Sequence, residues 1–263
     1  MASLPRSKDS AAGDGFFSPA PPRVLAHRGL AIDAPENTLL AFAKALAVGV
    51  THVETDVHVS ADGVAMISHD PDLKRLFGRR ATVAHLTSTE LRRLDLGFGQ
   101  SYCSLAEALD GFPDLRFNID IKIGGAVEAT VDAIRDANAI RRVLIGSFSP
   151  ERRTAAVRML PGVATSISAR GAVGAVAAAR AGSLGTVRRI LRDVQAVQLP
   201  VSVLGMAAFT SRTIDAFHAA GVEIHAWTIN EPAEMDRLLA LGIDGLVTDR
   251  SDLAMDAITR FAA

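Results

Sequence analysis

Cysteine is almost missing from this chain: Cys103 is the only one in 263 residues. A single thiol excludes an internal disulfide framework and a metal site built from several cysteines. Long apolar runs are missing too. None reaches the roughly 18 consecutive residues of a membrane-spanning helix, so no stable membrane anchor is expected. Neither sign of charge dominates: 28 Lys and Arg stand against 29 Asp and Glu, a net charge of −1. With no basic stripe and no interleaved aromatic residues, a nucleic-acid partner is not expected. The segment Met1–Pro22 is rich in Ala, Ser, Gly and Pro and lacks the apolar stretch of a signal peptide. It is expected to be a flexible N-terminal tail, with a cytoplasmic location as the default. The oligomeric state is left open.

What the chain does have is enough apolar material, 49% of its residues, for one sizeable core. Its length fits a single α/β barrel of about 250 residues. From Arg23 to the end, short apolar runs alternate with helical stretches. The strand candidates are Val24–His27, His52–Val59, Leu115–Lys122, Val143–Phe148, Ala164–Ser168, Ala196–Pro200, Glu223–Ile229 and Gly245–Thr248. Helices are expected over Asn37–Val48, Ala126–Asn138, Pro150–Leu160, Ala172–Ala181, Thr210–Ala220, Pro232–Leu241 and Asp252–Phe261. Gly49, Gly182, Gly221 and Gly242 stand where several of them should stop. Eight strands with intervening helices predict a parallel sheet closed into a TIM-type (β/α)8 barrel over residues 23–263, with a doubly wound open sheet as the structural alternative.

One connection is too long for a plain strand–helix unit. Residues of about 60–114 form a small insertion after the second strand. Asp62-Gly63 signals a tight turn, Val64–Ile67 a short return strand, and Thr87–Leu94 and Ser104–Leu109 short helices. Insertions in this fold tend to sit at the catalytic face.

The polar residues at the strand ends carry the chemistry. His27-Arg28-Gly29 closes the first strand, Glu54-Thr55-Asp56 lies in the second, Ser68-His69-Asp70 in the insertion, and Asn118-Ile119-Asp120-Ile121-Lys122 in the next barrel strand. Residues two apart on a strand share a face, so Glu54 pairs with Asp56 and Asp120 with Lys122. Barrel strand ends converge on one mouth, which can bring His27, Glu54, Asp56 and Asp120 together. Carboxylates without thiolates favour a hard divalent cation, Mg²⁺ or Ca²⁺. Two histidines, three acids and two cations suit metal-assisted hydrolysis of a phosphodiester. His58 is in phase with Glu54 and Asp56 but is read as a residue at the site's edge.

In order and spacing, His27-Arg28-Gly29, Pro35-Glu36-Asn37-Thr38, Glu54-Thr55-Asp56-Val57, Asp62-Gly63 and His69-Asp70 resemble the glycerophosphodiester phosphodiesterase family. So do Asn118-Ile119-Asp120-Ile121-Lys122, Trp227-Thr228-Ile229-Asn230 and Gly245-Leu246-Val247-Thr248-Asp249. The resemblance runs from about Val24 to Asp252. It implies a TIM-type barrel that uses a divalent cation to hydrolyse small glycerophosphodiesters to sn-glycerol 3-phosphate and an alcohol. By position it makes Glu54, Asp56 and Asp120 the metal ligands and His27 and His69 the acid–base pair. Arg28 and Lys122 match phosphate contacts, Glu36 an acidic residue of the rim, and Trp227 an aromatic residue near the mouth. The chain departs from the family at Asp120, where Glu is usual, and at Cys103 and Ser251, where Pro is common.

Structural readings stand beside these. Glu36 can favour the start of the following helix, and Asn230 and Asp249 can tie loops together at the mouth. His52, His85, His218 and His225 are read as structural or solvated, and the paired arginines as solvated faces. The functional alternative is a phospholipase D-like hydrolase of a choline- or ceramide-linked phosphodiester, which a large apolar groove would favour. No long apolar loop is evident in the sequence.

Overall fold

The computed structural model describes residues 15–262. Its strands are β1 (Arg23–His27), β2 (His52–Val59), β3 (Ala65–Ile67), β4 (Arg116–Ile121), β5 (Val143–Gly146), β6 (Ala164–Thr165), β7 (Ala196–Leu199), β8 (Ser202–Val203), β9 (Met206–Ala207), β10 (Glu223–Ala226) and β11 (Gly245–Thr248). Eight of them pair in the order β6-β5-β4-β2-β1-β11-β10-β7. Every junction between them is parallel. The seam between β6 and β7 is bridged by Gln195 N–H donating to Thr165 O at 3.0 Å and Ile167 N–H to Ala196 O at 3.1 Å. The expected (β/α)8 barrel is therefore the fold, and all eight predicted strands belong to it. Both faces of such strands are covered, which is why they read as nearly continuous apolar runs.

The main core lies between the strands' outer faces and the helices, with Val53, Val57, Phe117, Ile119 and Ile145 facing Phe42, Val131, Ile134 and Val176. Phe42 meets Phe117 edge to face at 5.8 Å. Inside the barrel, side chains of neighbouring strands fall into level rows, such as Leu25 beside His52 and Glu54 beside Asn118.

The insertion folds as its turn and cap residues predict. β3 returns antiparallel on β2 through Asp62-Gly63, with Gly63 at φ 79°. Capping boxes at Thr87/Glu90 and Ser104/Glu107 start the helices Ser88–Leu91 and Leu105–Gly111. A small core of Met66, Leu73, Val83, Leu91 and Tyr102 holds the unit together.

Other elements differ from expectation. The first helix begins at Leu39, because Thr38 caps it and Asn37 adopts φ 57°. The helix Lys74–Phe77 and the β8–β9 hairpin are too short to show an apolar period, whereas Leu184–Leu191, which buries Val187 and Leu191, is amphipathic and was missing from the expected helices. The expected tail falls only partly outside the described residues, at 1–14. Gly15–Pro22 instead packs beneath the barrel: Phe16 is buried with Leu25, Leu144, Ala196 and Val247, and its N–H donates to Arg141 O at 2.8 Å.

Candidate active site

The first loop of the mouth is built by two left-handed residues. Arg28 (φ 57°) and Gly29 (φ 82°) turn the chain directly after His27. A Cβ on Gly29 would lie 2.7 Å from Ala41, so only glycine fits against the following helix. Arg28 N–H donates to Glu54 O at 2.9 Å, and Asn37 N–H to Arg28 O at 2.8 Å, fixing the turn on β2.

At the barrel's C-terminal end, one cavity of about 450 Å³ brings together His27, Arg28, Glu54, Asp56, His69, Asn118, Asp120, Lys122 and Trp227. Of the expected site residues only Glu36 is not in its wall. Glu36 stands behind Arg28, accepting from its Nη1 at 3.1 Å, and lines a small adjoining crevice with Asn37, Asp70 and Arg75.

Each of the two histidines has its own carboxylate. His27 Nδ1 lies 2.6 Å from Asp249 Oδ1, and His69 Nδ1 lies 2.8 Å from Asp70 Oδ1. Asp249 is held below the usual carboxylate range by the bond from His27, with burial opposing and Asn230 adding a second bond. Burial pushes Asp70 upward, but bonds from Arg75 and His69 outweigh it and hold it low. Both acids are thus ionised acceptors, so each Nδ1 carries the proton and each Nε2 is left for the cavity. Burial would lower the pKa of His27, but the Asp249 bond and the charge of Glu54 raise it, with Arg28 opposing. Asn230 Nδ2 donates to Asp249 Oδ2 at 2.7 Å, while its Oδ1 accepts from Asp249 N–H at 3.0 Å.

Asp56 is the centre of the charge cluster. Its Oδ1 lies 2.7 Å from Lys122 Nζ, and its Oδ2 accepts from Asn37 Nδ2 at 3.0 Å and lies 3.4 Å from Arg28 Nε. Burial alone would raise its pKa; Lys122, Arg28 and Asn37 together lower it. Lys122 also donates to Asp120 Oδ2 at 2.8 Å. Its pKa is raised, because Asp56 and Asp120 outweigh its own burial. Glu54 makes no such close pair; His27 Nε2 lies 3.8 Å from its Oε2. Burial first, and the charges of Asp56 and Asp120, push it up to about 8, against the pull of His27 and Lys122.

Two buried carboxylate oxygens here, Glu54 Oε2 and Asp120 Oδ1, receive no hydrogen bond. Unsatisfied buried acceptors beside a raised carboxyl pKa are the electrostatic demand a bound cation would meet. Among the described residues, no group of three or more His, Cys, Asp or Glu side chains is arranged to hold a metal ion as it stands. Asp56 is engaged by Lys122 and Asn37, so the two free oxygens are the open positions. The donor set, all oxygen, fits a hard divalent cation.

His58, in phase with the acids, is not in the cavity wall. It is buried under the insertion with Nε2 3.3 Å from His69 O, and burial lowers its pKa. Sequence reasoning passed over three residues of the site. Asn37 was placed in a helix, although Asn after Glu36 and before a Thr cap is a left-handed turn signal. Asp249 was read chiefly as a loop tie. Nothing local marked Arg75, which reaches Asp70 and Glu36 from the insertion.

Apolar side chains also line the cavity, Phe148, Ile167, Val173, Leu199, Val203, Leu204 and Trp227, together with Ser147, Ser166, Gln198 and Ser202. Phe148 is 56% and Leu204 79% exposed. Trp227 packs edge-on to Phe148, with ring centres 6.0 Å apart.

Residues 27–253 match the model of the Glycerophosphoryl diester phosphodiesterase family. "Probable glycerophosphodiester phosphodiesterase 2" of Mycobacterium tuberculosis is 42% identical over 236 residues, which cover 89% of each chain. Lysophospholipase D GDPD1 of Mus musculus is 25% identical over 278 residues, 92% of this chain and 87% of that protein. The solved structure of an Oleispira antarctica phosphodiesterase in complex with the product sn-glycerol-3-phosphate superimposes with a TM-score of 0.74. It is 24% identical and covers 91% of this chain and 97% of that one, a likeness of fold.

Proposed function

The chain belongs to the glycerophosphoryl diester phosphodiesterase family and is a phosphodiesterase of glycerophosphodiesters; from that premise we propose that it hydrolyses small glycerophosphodiesters to sn-glycerol 3-phosphate and an alcohol, with a divalent cation and a His27/His69 acid–base pair. The observation that carries this reading is the pairing of two Nδ1-anchored histidines with Arg28 and Lys122 around one cavity.

The roles follow from charge and geometry. Arg28 offers a planar fork and Lys122 a point charge to the phosphate oxygens. One histidine takes the proton of the attacking oxygen through Nε2, and the other gives a proton to the departing alkoxide. Asp249 and Asp70 keep both rings in the tautomer that leaves Nε2 inward. Glu54 and Asp120 would hold Mg²⁺ or Ca²⁺ through their free oxygens, with Asp56 as third ligand once its bonds rearrange. Bound there, the cation supplies positive charge to the phosphoryl oxygens. Glu36 steadies Arg28. A cytoplasmic location belongs to the same proposal, and cell fractionation checks it.

The test is release of sn-glycerol 3-phosphate from glycerophosphocholine and glycerophosphoethanolamine. With Mg²⁺ or Ca²⁺ both should be cleaved, with kcat/KM values within about tenfold of each other. Exhaustive chelation should abolish turnover and re-addition restore it. Turnover that survives chelation overturns the metal assignment; no product with either ion overturns the reaction.

A second reading has one observation in its favour. The apolar part of the lining, assembled from separate loops rather than one long one, suits a substrate that carries an alkyl chain, as the name of the mouse relative suggests for that protein. A monoacyl series of lysophosphatidylcholines decides it. kcat/KM rising with chain length, by up to about fourfold per buried methylene, supports this reading, and a flat series removes it.

A further inference from the structure

One guanidinium bridges two loops of the mouth, whose connections are also tied farther back by Leu40 N–H donating to Gln100 Oε1 at 3.3 Å. Arg75 sits on the four-residue helix Lys74–Phe77 of the insertion, which Leu73 anchors in the insertion's own core. Its Nε donates to Asp70 Oδ2, and its Nη2 to Glu36 Oε1. The other oxygen of Asp70 receives His69, and the same oxygen of Glu36 receives Arg28. One side chain therefore stands behind both the acid–base group, on its own connection of the barrel, and the phosphate-binding arginine, on the connection after β1.

We propose that Arg75 is a positioning residue that holds His69 and Arg28 in register with each other, through Asp70 and Glu36. The geometry requires arginine. Two N–H groups of one rigid plane engage two different carboxylates, a span that the point charge of a lysine does not reproduce. With Arg75 in place, both oxygens of Asp70 are taken and its plane is fixed, so the His69 ring has one orientation. Glu36, pulled from both sides by Arg28 and Arg75, holds the Arg28 fork toward Asp56 and the cavity. Without Arg75, Asp70 and Glu36 are two carboxylates at a half-open rim with one cationic partner fewer, and both rotate. The Arg75 guanidinium also helps to hold the Asp70 carboxyl low, alongside the bond from His69. Asp70 also acts on the nearby Tyr102, which feels Arg75 and Glu36 as well.

The inference rests on the hydrolytic reading of the site, and its test separates the two. In wild type, Arg75→Ala and Arg75→Lys, kcat and KM for glycerophosphocholine are measured with saturating divalent cation across pH. Arg75→Ala should lower kcat about tenfold and raise KM several-fold, a loss in line with slight misplacement of reacting groups. Arg75→Lys should not restore both. The acid limb of kcat/KM should move to higher pH in Arg75→Ala, since Asp70 loses the guanidinium. In the Asp70→Asn background the kcat effect of Arg75→Ala should vanish, and in the Glu36→Gln background the KM effect should vanish. Additive losses in both cycles, full rescue by lysine, or wild-type kinetics in Arg75→Ala overturn the proposal. Nitrogen-15 NMR of the His69 ring supplies a readout without turnover. Its Nδ1–H signal should be sharp in wild type and broadened in Arg75→Ala, and an unchanged signal overturns the proposal even if the enzyme acts on another diester. A wild type inactive on glycerophosphodiesters with this NMR signature intact would sink the hydrolytic reading alone.

Discussion

The two ends of the barrel are built from the same kinds of residue and do opposite things. At the floor, His52, His225, Arg23 and Glu223 are satisfied within the protein. His52 Nε2 donates to Phe16 O at 2.6 Å, while Thr51 Oγ1 lies 2.9 Å from its Nδ1. His225 meets Gln198 and Glu223, and Arg23 meets Glu223 and the carbonyls of Phe17 and Pro19. At the mouth, Glu54 and Asp56 are buried and His27 and Asp120 partly so, yet Glu54 Oε2 and Asp120 Oδ1 have no donor. The two ends also pull histidine in opposite directions. Burial pushes His52 down to about 3, whereas Asp249 and Glu54 raise His27 against its burial. A saturated polar cluster is architecture, and one with unfilled acceptors around a cavity is poised for a ligand.

The sharpest way to break this contrast is to damage each end separately. Phe16→Ala removes the plug's buried ring and should cost about 3 kcal/mol of stability by chemical denaturation, as for other buried phenylalanines. kcat of the folded enzyme should stay near wild type. A large loss of kcat at unchanged stability would mean that the floor communicates with the site.

The opposite pattern belongs to the mouth. His27→Ala and His69→Ala should each lower kcat by roughly 10²-fold or more, about 2.7 kcal/mol in barrier height, with small changes in denaturation midpoint. Either variant keeping near-wild-type turnover would remove that histidine from the acid–base pair.

Asp249→Asn sharpens the distinction within the mouth itself. An amide keeps the shape but loses the charge that fixes the His27 tautomer and raises its pKa. Turnover should fall by about tenfold, less than for loss of the ring. The limb of the pH profile that reports His27 should move to lower pH. A profile that does not move would confine Asp249 to tying the loop through Asn230.

The smallest effect tests the floor by pH. In the unfolded chain a histidine protonates near ~6.5, whereas folded His52 resists protonation until about 3. Between those values the unfolded state binds the proton and the folded state does not, so stability falls as pH drops through that window. One unit below 6.5 the loss should be about 1 kcal/mol from this group, read as a lowered melting midpoint. His52→Gln keeps a donor for Phe16 O and should make the midpoint less sensitive to pH in that range. An equal slope in variant and wild type would assign the acid sensitivity elsewhere.

Much of this was legible in the chain. Short apolar runs separated by capped helices are local patterns, and they marked all eight barrel strands. Strand periodicity put Glu54 with Asp56 and Asp120 with Lys122, and barrel convergence put His27 beside them. What local pattern could not supply is pairing at a distance. His27 and Asp249 are 222 residues apart, and Arg75 and Glu36 are 39 apart. The burial of Phe16 was equally hidden, because Ala-, Gly- and Pro-rich composition describes the segment and not the open barrel floor that receives it. The apolar part of the cavity lining arises from residues contributed singly by several loops.

The sequence by itself therefore determined the barrel, the order of its strands and the chemical kinds of group at its mouth, since hydrophobic period and turn chemistry act over a few residues. Only the tertiary structure decided which carboxylate anchors which histidine, which oxygens are left without donors, and which apolar side chains gather around the cavity. Those are properties of closure: they exist only once strands distant in the chain stand side by side and water is excluded between them.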